Sequence, residues 1–140
     1  MQKIQHSSIK RNIHKSELKD KSLVFSYKYV AFPRDKFQLN DRDFNYYLAL
    51  FNRLKEACKL TCAQFLNNRT KTWRTHPIDW DDTTEPSGFS HLNSQLRDLP
   101  AWQFNISRDE HGRVHGFVID DVFYLIWFDP KHELYNGKKH

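Results

Sequence analysis

Between residues 23 and 32 the chain reads LVFSYKYVAF, β-branched and aromatic side chains in partial alternation, and Pro33 closes the run. That pattern predicts a strand. Asn40-Asp41-Arg42-Asp43 then has the composition of a helix start, an Asn cap with acidic side chains at the positive end of the helix. Phe44, Tyr47, Leu48, Phe51, Leu54 and Cys58 recur three and four positions apart, one face of a helix over 41–58. Thr61 and Gln64 stand at capping-box spacing. A break near Lys59-Leu60 and a second short helix over 62–68, through Ala63, Phe65 and Leu66, follow from it.

Residues 70–100 lose this periodicity and are rich in Pro, Asp, Ser and Thr. They predict a long irregular connection with one helical turn at 90–97, ordered by the anchors Trp73, Ile78, Trp80 and Phe89. Alternation returns in WQFNIS (102–107), with Trp102, Phe104 and Ile106 on one face and Gln103, Asn105 and Ser107 on the other. RVHGFVI (113–119) reads as the next strand, Asp120-Asp121 as a tight reversal, and VFYLIWF (122–128) as a strand covered on both faces. The order is an N-terminal strand, two packed helices, a long loop and a C-terminal three-stranded antiparallel meander. This is an α+β domain.

Within the meander, RDEHGRVHG places His111, Arg113 and His115 at every second position. If the strand begins at His111 or soon after, these share a face, opposite Val114 and Val118; otherwise His111 is a residue of the turn. Gly116 lowers that opposite face or admits another backbone closely. Arginine keeps its charge and offers planar donors to phosphate, while histidine titrates near neutrality and passes protons. Together they suit phosphodiester chemistry. The same residues suit a structural role, with His115 a sheet histidine and Arg113 paired to Asp109, Asp120 or Asp121. A metal site from His111, His115, Asp129 and His132 matches no spacing signature. The returning tail brings His132 and Tyr135 beside Arg113, as a second proton-transfer group, a stacking ring, or simply an anchor of the terminus. Upstream, NRTKTWRTH interleaves Arg69, Lys71 and Arg74 with Trp73, a pattern that grips single-stranded nucleic acid and that ordinary basic loops share.

Composition sharpens this only in part. With 140 residues the chain is read as one domain, 23–140, preceded by a basic arm at 1–22. The net charge of +5 favours an acidic partner. Residues 34–74 carry an excess of Lys and Arg, whereas 76–99 hold Asp79, Asp81, Asp82, Glu85 and Asp98 against Arg97 alone. The N-terminus lacks the apolar core of a signal peptide. No run suffices for a membrane span. Cys58 and Cys62, four apart in a helical context, are expected to be buried thiols in a reducing cytoplasm. No cofactor motif occurs.

The strand LVFSYKYV, helices at 41–58 and 62–68, and the meander WQFNIS/RVHGFVI/VFYLIWF resemble, in their order, the RelE/ParE-like toxins of toxin–antitoxin systems. The resemblance covers half to two-thirds of the chain and rests on no diagnostic motif; the acidic 76–99 insertion and the basic arm depart from it. It implies a metal-independent endoribonuclease cutting messenger RNA on the ribosome and held in check by an acidic antitoxin. Arg113 would bind phosphate, His115 move a proton, and Tyr135 serve as second proton group or stacking ring. The alternative is a non-enzymatic module that binds nucleic acid or protein, of phage or mobile-element type.

Overall fold

The computed structural model describes residues 21–135; the basic arm, apart from Lys21 and Ser22, lies outside the described residues. Nine short elements follow in order: β1 (Val24–Ser26), α1 (Phe44–Ala57), α2 (Cys62–Leu66), β2 (His76–Pro77), a 3-10 turn (Trp80–Asp82), α3 (Ser94–Arg97), β3 (Ala101–Asn105), β4 (Arg113–Ile119) and β5 (Val122–Asp129). The strands form one mixed sheet in the order β1-β5-β4-β3-β2. The fold is α+β. The β3-β4-β5 meander is antiparallel, while β1 runs parallel to β5 and β2 adds to the edge of β3.

The strand expected over 23–32 is only three residues long. The chain turns at Tyr27, whose carbonyl accepts from Val30 N–H, and returns to the sheet at Ala31, whose N–H donates to Ile126. Ile126 is the extra residue where the β4–β5 register shifts between His115 and Gly116. Because of that shift Ile126 and Trp127 both face the second core cluster, while Leu125 and Phe128 face the first.

The capping box of Thr61 and Gln64 forms as expected, with both reciprocal bonds present. The cap of α1 does not. Asn40 lies in a turn, and Asp43 is the cap, its carboxylate accepting from Tyr46 N–H at 3.0 Å. The helix also buries a different face from the one expected. Tyr46, Leu50, Leu54 and Ala57 enter the core, whereas Phe44, Leu48 and Phe51 are exposed. Both stripes fit a helical period, and Leu54 alone belongs to both. Cys58, at the helix end, is exposed, and both thiols are free.

Two apolar clusters sandwich the sheet. One joins α1 and α2 to Phe104, Ile106, Val114, Phe123, Leu125 and Phe128. The other packs Phe37, Ile78, Phe89, Leu92 and the tail residues Leu134 and Tyr135 on Ala101, Phe117, Ile126 and Trp127. The 70–100 connection is therefore ordered, as its anchors suggest, and it also supplies strand β2. It covers the face that carries Gln103 and Asn105, so those polar side chains are buried rather than solvated. Lys36 binds Glu85 and Thr84, and Thr84 N–H donates to Leu134, tying the acidic insertion to the tail. Among the described residues no helix is long and apolar enough to cross a membrane.

Candidate functional site

Strand register builds the site. Gln103 pairs with His115, Asn105 with Arg113, and Arg113 with Asp129. Period-two geometry thus sets Gln103, Arg113, His115 and Asp129 on one face, and Asp129-Pro130 ends β5 so that the tail folds over them. The result is a narrow cleft, without room for a water molecule, lined by Gln103, Arg113, Asp129, His132 and Tyr135. Arg113, His115 and Tyr135 are thereby brought together, and the tail does return beside Arg113.

Arg113 is 6% exposed, and its Nε has no hydrogen-bond partner. Among the described residues no carboxylate forms an ion pair with it: Asp129 lies opposite in the ladder and only attracts its charge, and Asp109 and Asp121 pair elsewhere. Burial lowers its pKa, and the charge of Arg74 lowers it further. Asp129 accepts instead from the N–H groups of Glu133 at 2.7 Å and Leu134 at 3.0 Å. Burial is the larger effect on that carboxyl and pushes its pKa up to about 6.

His115 lies beneath the cleft, fully buried, its ring edge-on to Phe37 and Trp127. Neither ring nitrogen has a hydrogen-bond partner. Its Nε2 is 3.6 Å from Asp129 Oδ2, beyond hydrogen-bond range. Desolvation, then the neighbouring Arg113 charge, lowers its pKa to about 3. The imidazole is therefore neutral at physiological pH, so the contact with Asp129 is not an ion pair. His111 is not on this face. It sits in the β3–β4 turn at φ 64°, its Nδ1 at 3.1 Å from Ser107 Oγ, and its ring packs on Tyr46 of α1. The four-residue metal set of the sequence reading is thus not assembled. Among the described residues no group of three or more His, Cys, Asp or Glu side chains converges on a metal position.

Around the cleft stand His132, which is exposed, His76, which is half-buried, and Tyr135, which is buried. His132 is exposed at φ 56°, its pKa lowered by desolvation and by Arg113. His76 on β2 has Nδ1 at 2.8 Å from the Pro77 carbonyl, which can only accept, so Nδ1 carries the proton. Its Nε2 then accepts from Gln103 Nε2 at 2.9 Å, which leaves Gln103 Oε1 buried without a partner. The Tyr135 hydroxyl bonds with the Asp79 backbone, and burial raises its pKa. His76 and Gln103 belong to the site although sequence reasoning passed over them. The available signal is Gln103 alternating within β3 on the face opposite Trp102 and Phe104.

The upstream cluster divides. Arg74, at φ 42°, is exposed and close enough to act on the charges of Arg113 and His76. Lys71 is exposed, and its carbonyl accepts from Asn105 Nδ2. Arg69 is exposed but donates to the Leu66 and Thr75 carbonyls, closing its own loop. Trp73 is half-buried: Phe65 meets its ring edge-on, and the Arg53 guanidinium lies 4.1 Å from its centroid. Arg53 also donates to Ile106 and Thr72 carbonyls, stapling this loop to β3. Arg69, Lys71 and Arg74 make no ion pair among the described residues, so the acidic insertion does not neutralise them. No family model, no curated protein and no solved structure matches the chain.

Proposed function

We propose that the cleft over Arg113 binds a phosphate of RNA and that the protein is a metal-independent endoribonuclease of the RelE-like toxin type, acting on messenger RNA. The observation that carries this reading is a buried arginine whose Nε has no hydrogen-bond partner, which forms no ion pair among the described residues and which has the charge of Arg74 beside it; the gap above it is too narrow for a water, so a phosphate enters only as that gap widens. A buried guanidinium is costly to leave uncompensated, and an anionic ligand supplies the compensation. Arg74 and Lys71 hold flanking phosphates. Arg69 adds charge, and Trp73 sets the loop that carries them.

In the proposed reaction the ribose 2′-oxygen attacks the adjacent phosphorus and the bond to the 5′-oxygen breaks. The products are a 2′,3′-cyclic phosphate and a 5′-hydroxyl. His132, neutral because its pKa is lowered, takes the 2′-hydroxyl proton. Tyr135, protonated because its pKa is raised, gives a proton to the leaving oxygen. Arg113 stabilises the charge that builds on the non-bridging oxygens. His115 supports the floor of the cleft. An acidic partner protein that covers the basic rim would block the reaction.

The full burial of His115 favours a second reading, a phosphate-binding module that performs no chemistry. Mapping of 5′ ends in cellular RNA shortly after induced expression separates the two. New 5′-hydroxyl ends with the wild type, absent with His132→Ala and Tyr135→Phe, support cleavage. Unchanged RNA beside salt-sensitive RNA binding leaves the module.

A further inference from the structure

The cleft over Arg113 is lined by a second unpartnered group, the carboxamide oxygen of Gln103. Gln103 is fully buried, and its Oε1 has no hydrogen-bond partner. It stands opposite His115 on β3, one diagonal step across the β3–β4 ladder from Arg113, and lines the same gap. The widening that admits a phosphate to Arg113 therefore opens the gap at Gln103 too.

A chain of hydrogen bonds fixes the direction of this carboxamide. The Pro77 carbonyl only accepts, so His76 Nδ1 carries the proton and Nε2 is left as an acceptor. The amide nitrogen of Gln103 fills that acceptor at 2.9 Å. Burial lowers the His76 pKa, which keeps the ring neutral. The amide cannot turn over without setting its own oxygen against the acceptor nitrogen of His76. Asn105, two residues on and on the same face, repeats the arrangement. Its Nδ2 donates to the Lys71 carbonyl, and its buried Oδ1 has no partner. Beside its guanidinium the site thus holds buried acceptors that lack donors.

We propose that Gln103 selects the base next to the bound phosphate, favouring adenine or cytosine, which carry an exocyclic amine. The proposal rests on the reading that Arg113 holds a phosphate of RNA. Adenine and cytosine present an amino group where hypoxanthine and uracil present a carbonyl oxygen. The amine donates to Oε1. A carbonyl there sets two oxygens against each other and leaves Oε1 unpaired in the closed site. A buried polar group discriminates because the wrong ligand leaves it unsatisfied. His76 is a positioning residue, acting on the base only through the carboxamide.

Isothermal titration calorimetry of the full chain at low salt compares cytidine with uridine 3′-phosphate, and adenosine with inosine 3′-phosphate. The amino nucleotide of at least one pair should bind about tenfold more tightly. The ratio within a pair cancels any general change in affinity, so variants are compared through it. In Gln103→Met, which removes the acceptor at similar volume, the preference should vanish. In His76→Phe, which frees the carboxamide to turn, it should fall below about threefold. Equal affinities within both pairs, while inorganic phosphate binds the wild type and not Arg113→Met, overturn this inference and leave the phosphate reading standing. Binding of neither phosphate nor nucleotide overturns both. A preference that survives intact in Gln103→Met, or in His76→Phe should the first variant fail to fold, also overturns it.

Discussion

Arg113 and Asp129 are paired across the β4–β5 ladder, yet they form no ion pair. The carboxylate is turned to the Glu133 and Leu134 amides, where it holds the tail, and the guanidinium is left to the cleft. Opposite charges facing each other on a sheet ordinarily meet. Here the chain reversal after Pro130 takes the hydrogen bonds of the acid, and Nε of the base is left without a partner.

Arg113→Met should therefore separate stability from function. It replaces an unpaired buried charge with an apolar side chain of similar length, and is expected to raise the unfolding free energy by about 1–3 kcal/mol. RNA binding and cleavage should be lost. Urea unfolding beside 5′-end mapping checks both; a destabilised Met variant would mean that Arg113 has an internal role.

His115 sets an acid limit on the fold. Its folded pKa, about 3, lies below the ordinary 6.5, so the folded state disfavours the proton. Its stabilising effect is full above about 6.5 and is lost as the pH falls toward 3. Asp129 acts in the other direction: with its pKa raised from 3.8 to about 6, its effect is present below 3.8 and is lost as pH rises through 6. Relative to wild type, His115→Phe should gain stability on acidification from pH 6.5, by up to about 1.4 kcal/mol per pH unit. Melting curves at pH 4, 5, 6 and 7 should diverge in that direction, and parallel curves would contradict the burial argument.

Gly116 admits a close approach of backbone. A Cβ there would overlap the Tyr124 carbonyl oxygen and the Phe123 ring, at the point where the β4–β5 register shifts. Backbone cannot step aside as a flexible side chain can. Gly116→Ala is expected to cost about 3 kcal/mol, read as a lower urea midpoint with an unchanged slope.

Arg74 holds a left-handed backbone at φ 42° while presenting its charge beside Arg113. That conformation costs a non-glycine residue about 1 kcal/mol. Arg74→Gly should be more stable by about that amount, bind RNA more weakly, and show a salt dependence reduced by about one counterion. Fluorescence anisotropy at several salt concentrations tests this; an unaltered slope would remove Arg74 from the interface.

Local signals in the chain determined much of this protein. The capping box of Thr61 and Gln64, the break before it, and the three C-terminal strands all depend on residues a few positions apart, so pattern alone suffices for them. The reversal after Asp129 also follows locally from Pro130, and it was enough to bring Tyr135 to Arg113. Tertiary structure decided the rest. Helix α1 offers two apolar stripes, and only packing on Phe104 and Phe123 chooses Tyr46 and Leu50 over Phe44 and Leu48. Gln103 alternates like a solvated residue, but a distant segment, 70–100, covers its face and makes it part of the site. His115 has the right residue type and spacing for proton transfer, yet burial among Phe37, Trp127 and Arg113 sets its protonation. Desolvation and ion pairing depend on what stands opposite in space, and neighbours in the chain do not specify that.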